Sequence, residues 1–325
     1  MPGKGNPLLD SNDQNKWARG DGQADQPTTE PVAEPALKET HGEDHDGAII
    51  TLIQKRVVNI TVDDTRGLHL NRGMATSNAP AGWLEDYFAP GREHADIGII
   101  FVHGFTGSPA SMRPWAAYFE ERGYTVSVPR LPGHATQWQD LNRVKWQEWP
   151  ARVQSEVDTL KKICKKVFVF GLSMGGGTTL NIAEHNDLAG ICLVNPMIHI
   201  PGILINFASL LAIVQPGRGS VGDDIKKPDI TEWGYDVLPT KGVVQLNKML
   251  KETRANLGRV KCPTLLFHSV DDHVLKISNS NIIMSEIDSI SGQRIELTNS
   301  YHVATMDFDA PLIFANSLAH VEHWS

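Results

Sequence analysis

The sequence predicts an α/β fold: a mostly parallel sheet with helices on both faces and a small cap inserted beside the strand ends. Three observations carry this. Lys166 to Gly177 reads as a buried strand that stops in Gly-x-Ser-x-Gly and turns at once into a helix. Strand-like and helix-like stretches alternate on both sides of it. The alternation lapses from Pro196 to Val260 and resumes at Pro263.

Each part follows from its residues. Residues 1–48 hold ten of the 38 acidic and four of the 30 basic residues, a net of -6, and almost no aromatics. Such a segment buries too little apolar surface to offset its ordering entropy and is expected to be a disordered acidic tail. Its His41, Glu43, Asp44, His45 and Asp46 read as solvated charges rather than metal ligands, because no scaffold fixes them. Residues 49–94 form a lead-in whose structure the pattern leaves open. The core is expected over 95–195 and 261–325, with the cap at 196–260. Ala95 to Val102 is a buried strand, Ser111 to Arg122 an amphipathic helix with Trp115, Ala116 and Phe119 inward, and Tyr124 to Pro129 the next strand. Trp149, Val153, Val157 and Leu160 recur at helical spacing, with Pro150 tolerated in the first turn. Leu188 to Asn195 is another strand. The insertion holds an apolar helix (Ile203 to Val214), a Gly/Pro-rich loop and a second helix (Val243 to Leu257), with no sheet strand. A strand (Pro263 to His268), a helix (Ile277 to Ile287), a strand (Arg294 to Leu297) and a closing helix (Ala310 to His323) complete the chain.

Composition excludes several functions. The 325 residues are 41% hydrophobic and 21% charged, which suits one large globular domain with an insertion. The formal net charge is -8, and without the tail the body carries only -2, so there is no nucleic-acid footprint. Cys164, Cys192 and Cys262 lie far apart in apolar settings and read as buried free thiols. Met1 to Lys16 has no apolar core, so no signal peptide is expected. The run Ile200 to Val214 is broken by Pro201, Asn206 and Ser209 and is too short to span a bilayer, which makes a cytoplasmic location the expectation.

Ser173 is the candidate nucleophile. It sits on a sharp strand-to-helix turn, where Gly171, Gly175 and Gly176 remove Cβ atoms that would collide. A serine hydroxyl needs an imidazole to take its proton and a carboxylate to orient that imidazole, in the chain order Ser, acid, His. Asp271 and Asp272 follow a strand; adjacent residues on an extended loop point to opposite sides, so only one faces the site, and Asp272 is preferred. Of the 13 histidines, His302 stands on the loop after the last strand and is the candidate base. His185 and His320 read as helix-surface residues, and His268 and His273 as packing or hydrogen-bonding groups. Two N–H donors must meet the developing oxyanion: that of Met174, after the serine, and one from the loop after the first core strand, where Phe105 is expected. His103 is expected to brace that loop rather than move protons.

His103 to Gly107, Pro129 to His134, Gly171 to Gly176 and Asn299 to Thr305 together resemble the bacterial monoacylglycerol lipases and related carboxylesterases of the α/β-hydrolase superfamily, from about Ile97 to the C-terminus. The resemblance implies Ser173, Asp272 and His302 as the triad and Phe105 and Met174 as oxyanion donors; it selects Asp272 from the run Asp272-His273-Val274-Leu275. It places Glu232 where those lipases put a glutamate that contacts the glycerol head, and Val221 near a residue that narrows the pocket. It implies cleavage of a carboxylic ester, monoacylglycerol first, with a short-chain carboxylesterase or a catalytically silent binding module as alternatives. No metal or organic cofactor is required. Ile203, Leu204 and Phe207 supply apolar area for an acyl chain, or equally pack the cap on the body, and the outer face of that helix offers contact with a micelle or membrane. Monomer and homodimer both remain open.

Overall fold

A computed structural model of the chain describes residues 79–200, 217–219 and 223–325. The tail, residues 49–78 of the lead-in, the helix expected over Ile203 to Val214 (with Ile203, Leu204 and Phe207) and Val221 lie outside the described residues.

The described elements run β1 (Tyr87–Ala89), β2 (His94–Val102), α1 (Arg113–Glu120), β3 (Tyr124–Val128), α2 (Trp138–Leu141), α3 (Glu148–Leu160), β4 (Lys166–Leu172), α4 (Met174–Ala183), β5 (Gly190–Val194), β6 (Gly217–Gly219), β7 (Val237–Pro239), α5 (Thr240–Asn256), β8 (Thr264–Ser269), α6 (Ser278–Glu286), β9 (Gly292–Leu297) and α7 (Ala310–Trp324). The main sheet has the order β1-β3-β2-β4-β5-β8-β9. Within this sheet β1 pairs antiparallel with β3 and every other pairing is parallel.

Parallel strands covered on both faces read as continuous apolar runs, and the side-chain period of two divides them between the layers. Ile99 and Phe101 of β2 join Phe168, Phe170 and Trp115 on the side of α1 and α7. Ile100 and Val102 join Val167, Val169, Trp149 and Val153 on the side of α3, α4 and α5. Trp115, Ala116 and Phe119 are buried in α1, and Trp149, Val153, Val157 and Leu160 in α3, with Pro150 in the first turn. The three cysteines are buried free thiols.

Three differences from expectation concern packing. The helix expected as the second cap element is α5, and it lies on the body: Leu246, Met249 and Leu250 share the core of α4, and Asn181 Nδ2 donates to Thr253 Oγ1 at 3.1 Å. It therefore belongs to the layer that bridges β5 and β8, and the inserted segment ends before it. Helical periodicity announces an apolar stripe but not its partner. The insertion also holds a short antiparallel pair, β6 with β7, where no strand was expected. His320 is half-buried on its helix rather than fully exposed; its ring lies against Phe168, and burial holds its pKa down at about 4.

Among the described residues no helix is long and apolar enough to cross a membrane.

Candidate active site

The turn from β4 into α4 is built by close backbone approach. A Cβ on Gly171 would stand 2.4 Å from the Gly175 carbonyl oxygen, and one on Gly175 only 2.0 Å from that of Val102. Ser173 takes the left-handed side of the map, at φ 57° and ψ -118°, a strained conformation for a residue with a side chain. The turn is held from both directions: Ser173 N–H donates to the Val194 carbonyl at 3.0 Å, and the Ser173 carbonyl accepts Met197 N–H at 3.0 Å. Ser173 is buried, at the N-terminus of α4.

The loop after β2 lies against the serine. A Cβ on Gly104 would sit 3.3 Å from the Ser173 Cβ. His103 braces this loop: its Nε2 accepts Leu131 N–H at 3.1 Å, which leaves the proton on Nδ1 to donate to the Gly104 carbonyl at 2.9 Å. Burial holds its pKa down at about 4, so the ring is neutral. The Phe105 ring packs edge-on against His134 and Trp149. Met174 is the first residue of α4, so its N–H has no intrahelical partner; its side chain lies in the core below.

Asp272 follows β8 and His302 follows β9. His302 Nδ1 donates to Asp272 Oδ2 at 2.8 Å, with side-chain exposures of 9% and 1%. The second carboxylate oxygen, Oδ1, accepts the N–H groups of Val274 at 2.8 Å and Leu275 at 2.7 Å. Burial alone would raise Asp272, but the hydrogen bond and charge of His302 and these two amides outweigh it and hold the carboxyl below its usual range. Burial alone would lower His302, but Asp272, helped by Glu232 and Asp224, holds it above 6.5. With Nδ1 committed to Asp272, the neutral ring keeps a free lone pair on Nε2. Asp271 is exposed, with a carboxylate oxygen 4.0 Å from Lys226 Nζ.

Ser173, His302, Phe105 and Glu232 line one cavity of about 280 Å³. The Glu232 carboxylate lies against the loop after β2; a Cβ on Gly107 would come 3.1 Å from its Oε2. Burial, reinforced by the neighbouring Asp223, pushes its pKa up to about 7. The apolar part of the wall includes Ile200, Leu238, Val243 and Leu246. Sequence reasoning missed these because they come from the segment after β5, from β7 and from α5. It also missed Asn195, a fully buried residue at φ 44° whose Nδ2 donates to the His302 carbonyl at 2.7 Å and whose Oδ1 accepts Ser269 N–H at 2.7 Å. A buried polar residue closing an apolar strand was the available signal. Among the described residues no group of three or more His, Cys, Asp or Glu side chains is arranged to hold a metal ion.

Such an arrangement can pass a proton from a hydroxyl to an imidazole, with a buried carboxylate stabilising the cation. The family model described as "Alpha/beta hydrolase family" matches residues 99–314. A thermostable monoacylglycerol lipase from Bacillus sp. (strain H-257) is 42% identical over 234 residues, spanning 70% of this chain and 90% of that protein. A carboxylesterase of Bacillus subtilis (strain 168) is 24% identical over 219 residues, 67% of this chain and 89% of its own length. A solved structure reported for the metagenome-derived lipolytic enzymes LipS and LipT is 34% identical, with a TM-score of 0.71, over 74% of this chain and 98% of that one. A monoacylglycerol lipase structure from Paleococcus ferrophilus, 19% identical with a TM-score of 0.61 over 74% of this chain and 99% of that one, shares the fold.

Proposed function

The chain belongs to the α/β-hydrolase family and is a carboxylic-ester hydrolase of the serine type, and from that premise we propose that it cleaves monoacylglycerol to glycerol and fatty acid through an acyl-enzyme on Ser173. The observation that carries this reading is the buried Asp272–His302 pair beside a strained serine in one cavity. His302 Nε2 takes the Ser173 proton as Oγ bonds to the ester carbonyl carbon. The oxygen that becomes negative is met by the N–H groups of Phe105 and Met174. The ester C–O bond then breaks, and the alcohol leaves with the proton from His302. Water repeats the sequence: His302 takes its proton, the acid forms, and Ser173 recovers the proton.

The identity of the bacillary relative supports glycerol as the alcohol, and so does a half-buried carboxyl group, Glu232, in the wall. A carboxyl with a pKa near 7 accepts hydrogen bonds from a diol in either protonation state. Leu238, Val243 and Leu246 offer an apolar bed to the acyl chain, at about 0.8 kcal/mol per buried CH₂. Transient contact with a lipid surface fits such a substrate. A cytoplasmic location belongs to the same reading and is supported by three unpaired thiols.

The test is hydrolysis of monoacylglycerol against short-chain nitrophenyl esters by the wild type and Ser173→Ala. A higher kcat/KM on monoacylglycerol, absent from the variant, is expected. Preference for the short esters would make the enzyme a broad carboxylesterase, and turnover by the variant would remove Ser173 from the mechanism.

A further inference from the structure

Asp224 lies on the segment that returns from the insertion, and its carboxylate reaches both loops that carry the acid and the base. Oδ2 accepts the backbone N–H of His302 at 3.1 Å and that of His273 at 3.3 Å. Oδ1 faces His273 Nδ1 at 2.7 Å. The Asp224 carbonyl accepts Val303 N–H at 3.0 Å. The side chain is only 10% exposed and lines the same cavity as Ser173. Charge-assisted bonds of this kind are stronger than neutral ones.

The acid loop is exposed at Val270, Asp271, His273 and Val274, and besides Asp224 it is tied by Val270 N–H to the Leu297 carbonyl at 2.9 Å and by the His273 ring against Tyr301 at 4.4 Å. The base loop has a second tie to the same segment: Asp307 Oδ2 accepts Lys226 N–H at 2.7 Å and Tyr301 N–H at 2.9 Å. The returning segment is thus stitched to His302 at its backbone, and to Asp272 through the residue that follows it.

We propose that Asp224 is a positioning residue for ester hydrolysis: one carboxylate ties the acid loop to the base loop and fixes the backbone from which the His302 imidazole is aimed. The proposal rests on His302 being the base. It also predicts a pH signature. The groups facing His302 are Asp272 from the acid loop, Glu232 and Asp224 from the insertion, and His268 from β8. Facing Asp224 are His273, His302 and Glu232. Asp224 is one of the carboxylates that favour the imidazolium, so removing its charge lets His302 lose its proton at lower pH.

The experiment measures kcat and KM on a soluble nitrophenyl ester across pH 5 to 9, with Tm, for the full chain and for Ser173→Ala, Asp224→Ala and Asp224→Asn. Misplacing a catalytic group by about 1 Å costs on the order of 10²-fold. Asp224→Ala is therefore expected to lose roughly that much in kcat, with KM changed by no more than about threefold. Asp224→Asn keeps an acceptor oxygen for the two amides and should recover most of kcat, while its acid limb moves to lower pH as in the alanine variant. A purely structural role would lower kcat only in step with Tm, which overturns the proposal; so would wild-type kcat in both variants. If the alanine variant does not fold, Asp224→Ser, which keeps one acceptor oxygen, decides on the same split of kcat against KM. Ser173→Ala separates the two levels: turnover there sinks the reading of the site itself, whereas a dead Ser173→Ala beside unaffected Asp224 variants sinks only the positioning role.

Discussion

Replacing Asp272 with asparagine changes one carboxylate oxygen for an amide nitrogen at nearly constant volume. The structure dictates which one. Oδ1 accepts two backbone N–H groups, from Val274 and Leu275, so an oxygen must stay there. The amide nitrogen is forced to the place of Oδ2, 2.8 Å from His302 Nδ1. Two donors then face each other unless the imidazole moves its proton to Nε2, which removes the lone pair needed to accept from Ser173. The side chain at 272 is 1% exposed, so water cannot mediate. In serine proteases the same exchange lowers kcat by about 10⁴, or about 5 kcal/mol at 1.36 kcal/mol per decade. The assay is kcat on a soluble ester from pH 5 to 9, with Tm as a check on folding. In the wild type the base must be neutral, so activity rises with pH through a His302 pKa held above 6.5. In the variant the support from Asp272 is gone and burial remains, so the limb of the residual activity moves to lower pH. A variant within about tenfold of wild type, with its limb unmoved, would refute the assignment of Asp272 as the partner of the base.

Other expectations follow from the same geometry. The folded Glu232 pKa of about 7 lies above its unfolded value near 4.5, so its ionisation opposes folding progressively from about pH 4.5 to 7 and fully above. Glu232→Gln should raise Tm at pH 8 and not at pH 4; equal gains at both would contradict the burial argument. Glu232→Ala should reduce kcat/KM on monoacylglycerol more than on a simple alkyl ester, and equal losses would remove its role at the glycerol head. Val243→Trp fills the apolar end of the cavity and should depress long-chain esters while sparing acetate, as read from a chain-length series. Gly175→Ala drives a Cβ to 2.0 Å from the Val102 carbonyl and should cost at least about 3 kcal/mol, measured by urea denaturation of soluble protein.

The sequence was most legible where chemistry and local geometry coincide. The elbow at Ser173 needs glycines at fixed offsets, and those glycines are visible in the letters. The double-sided sheet was legible because strands buried on both faces leave long apolar runs, as at Ile99 to Val102. Residues whose importance comes from what folds onto them were not legible. Asn195 and Asp224 act through backbone groups 49 to 107 positions away in the chain. Val243 and Leu246 gain their place from the packing of α5 against α4, and Leu238 from the pairing of β7 with β6; a periodic stripe does not name its partner.

The central claim is that Ser173, His302 and two amides converge on one reacting carbonyl. A crystal structure of the enzyme after reaction with a long-chain alkyl phosphonate tests it most directly. The expected result is phosphorus on Ser173 Oγ, its oxygen within about 3 Å of the Phe105 and Met174 nitrogens, His302 Nε2 at hydrogen-bond distance from the ester oxygen, and the alkyl chain along Val243 and Leu246. Phosphorus on another residue, or an imidazole of His302 turned away from the adduct, would contradict it.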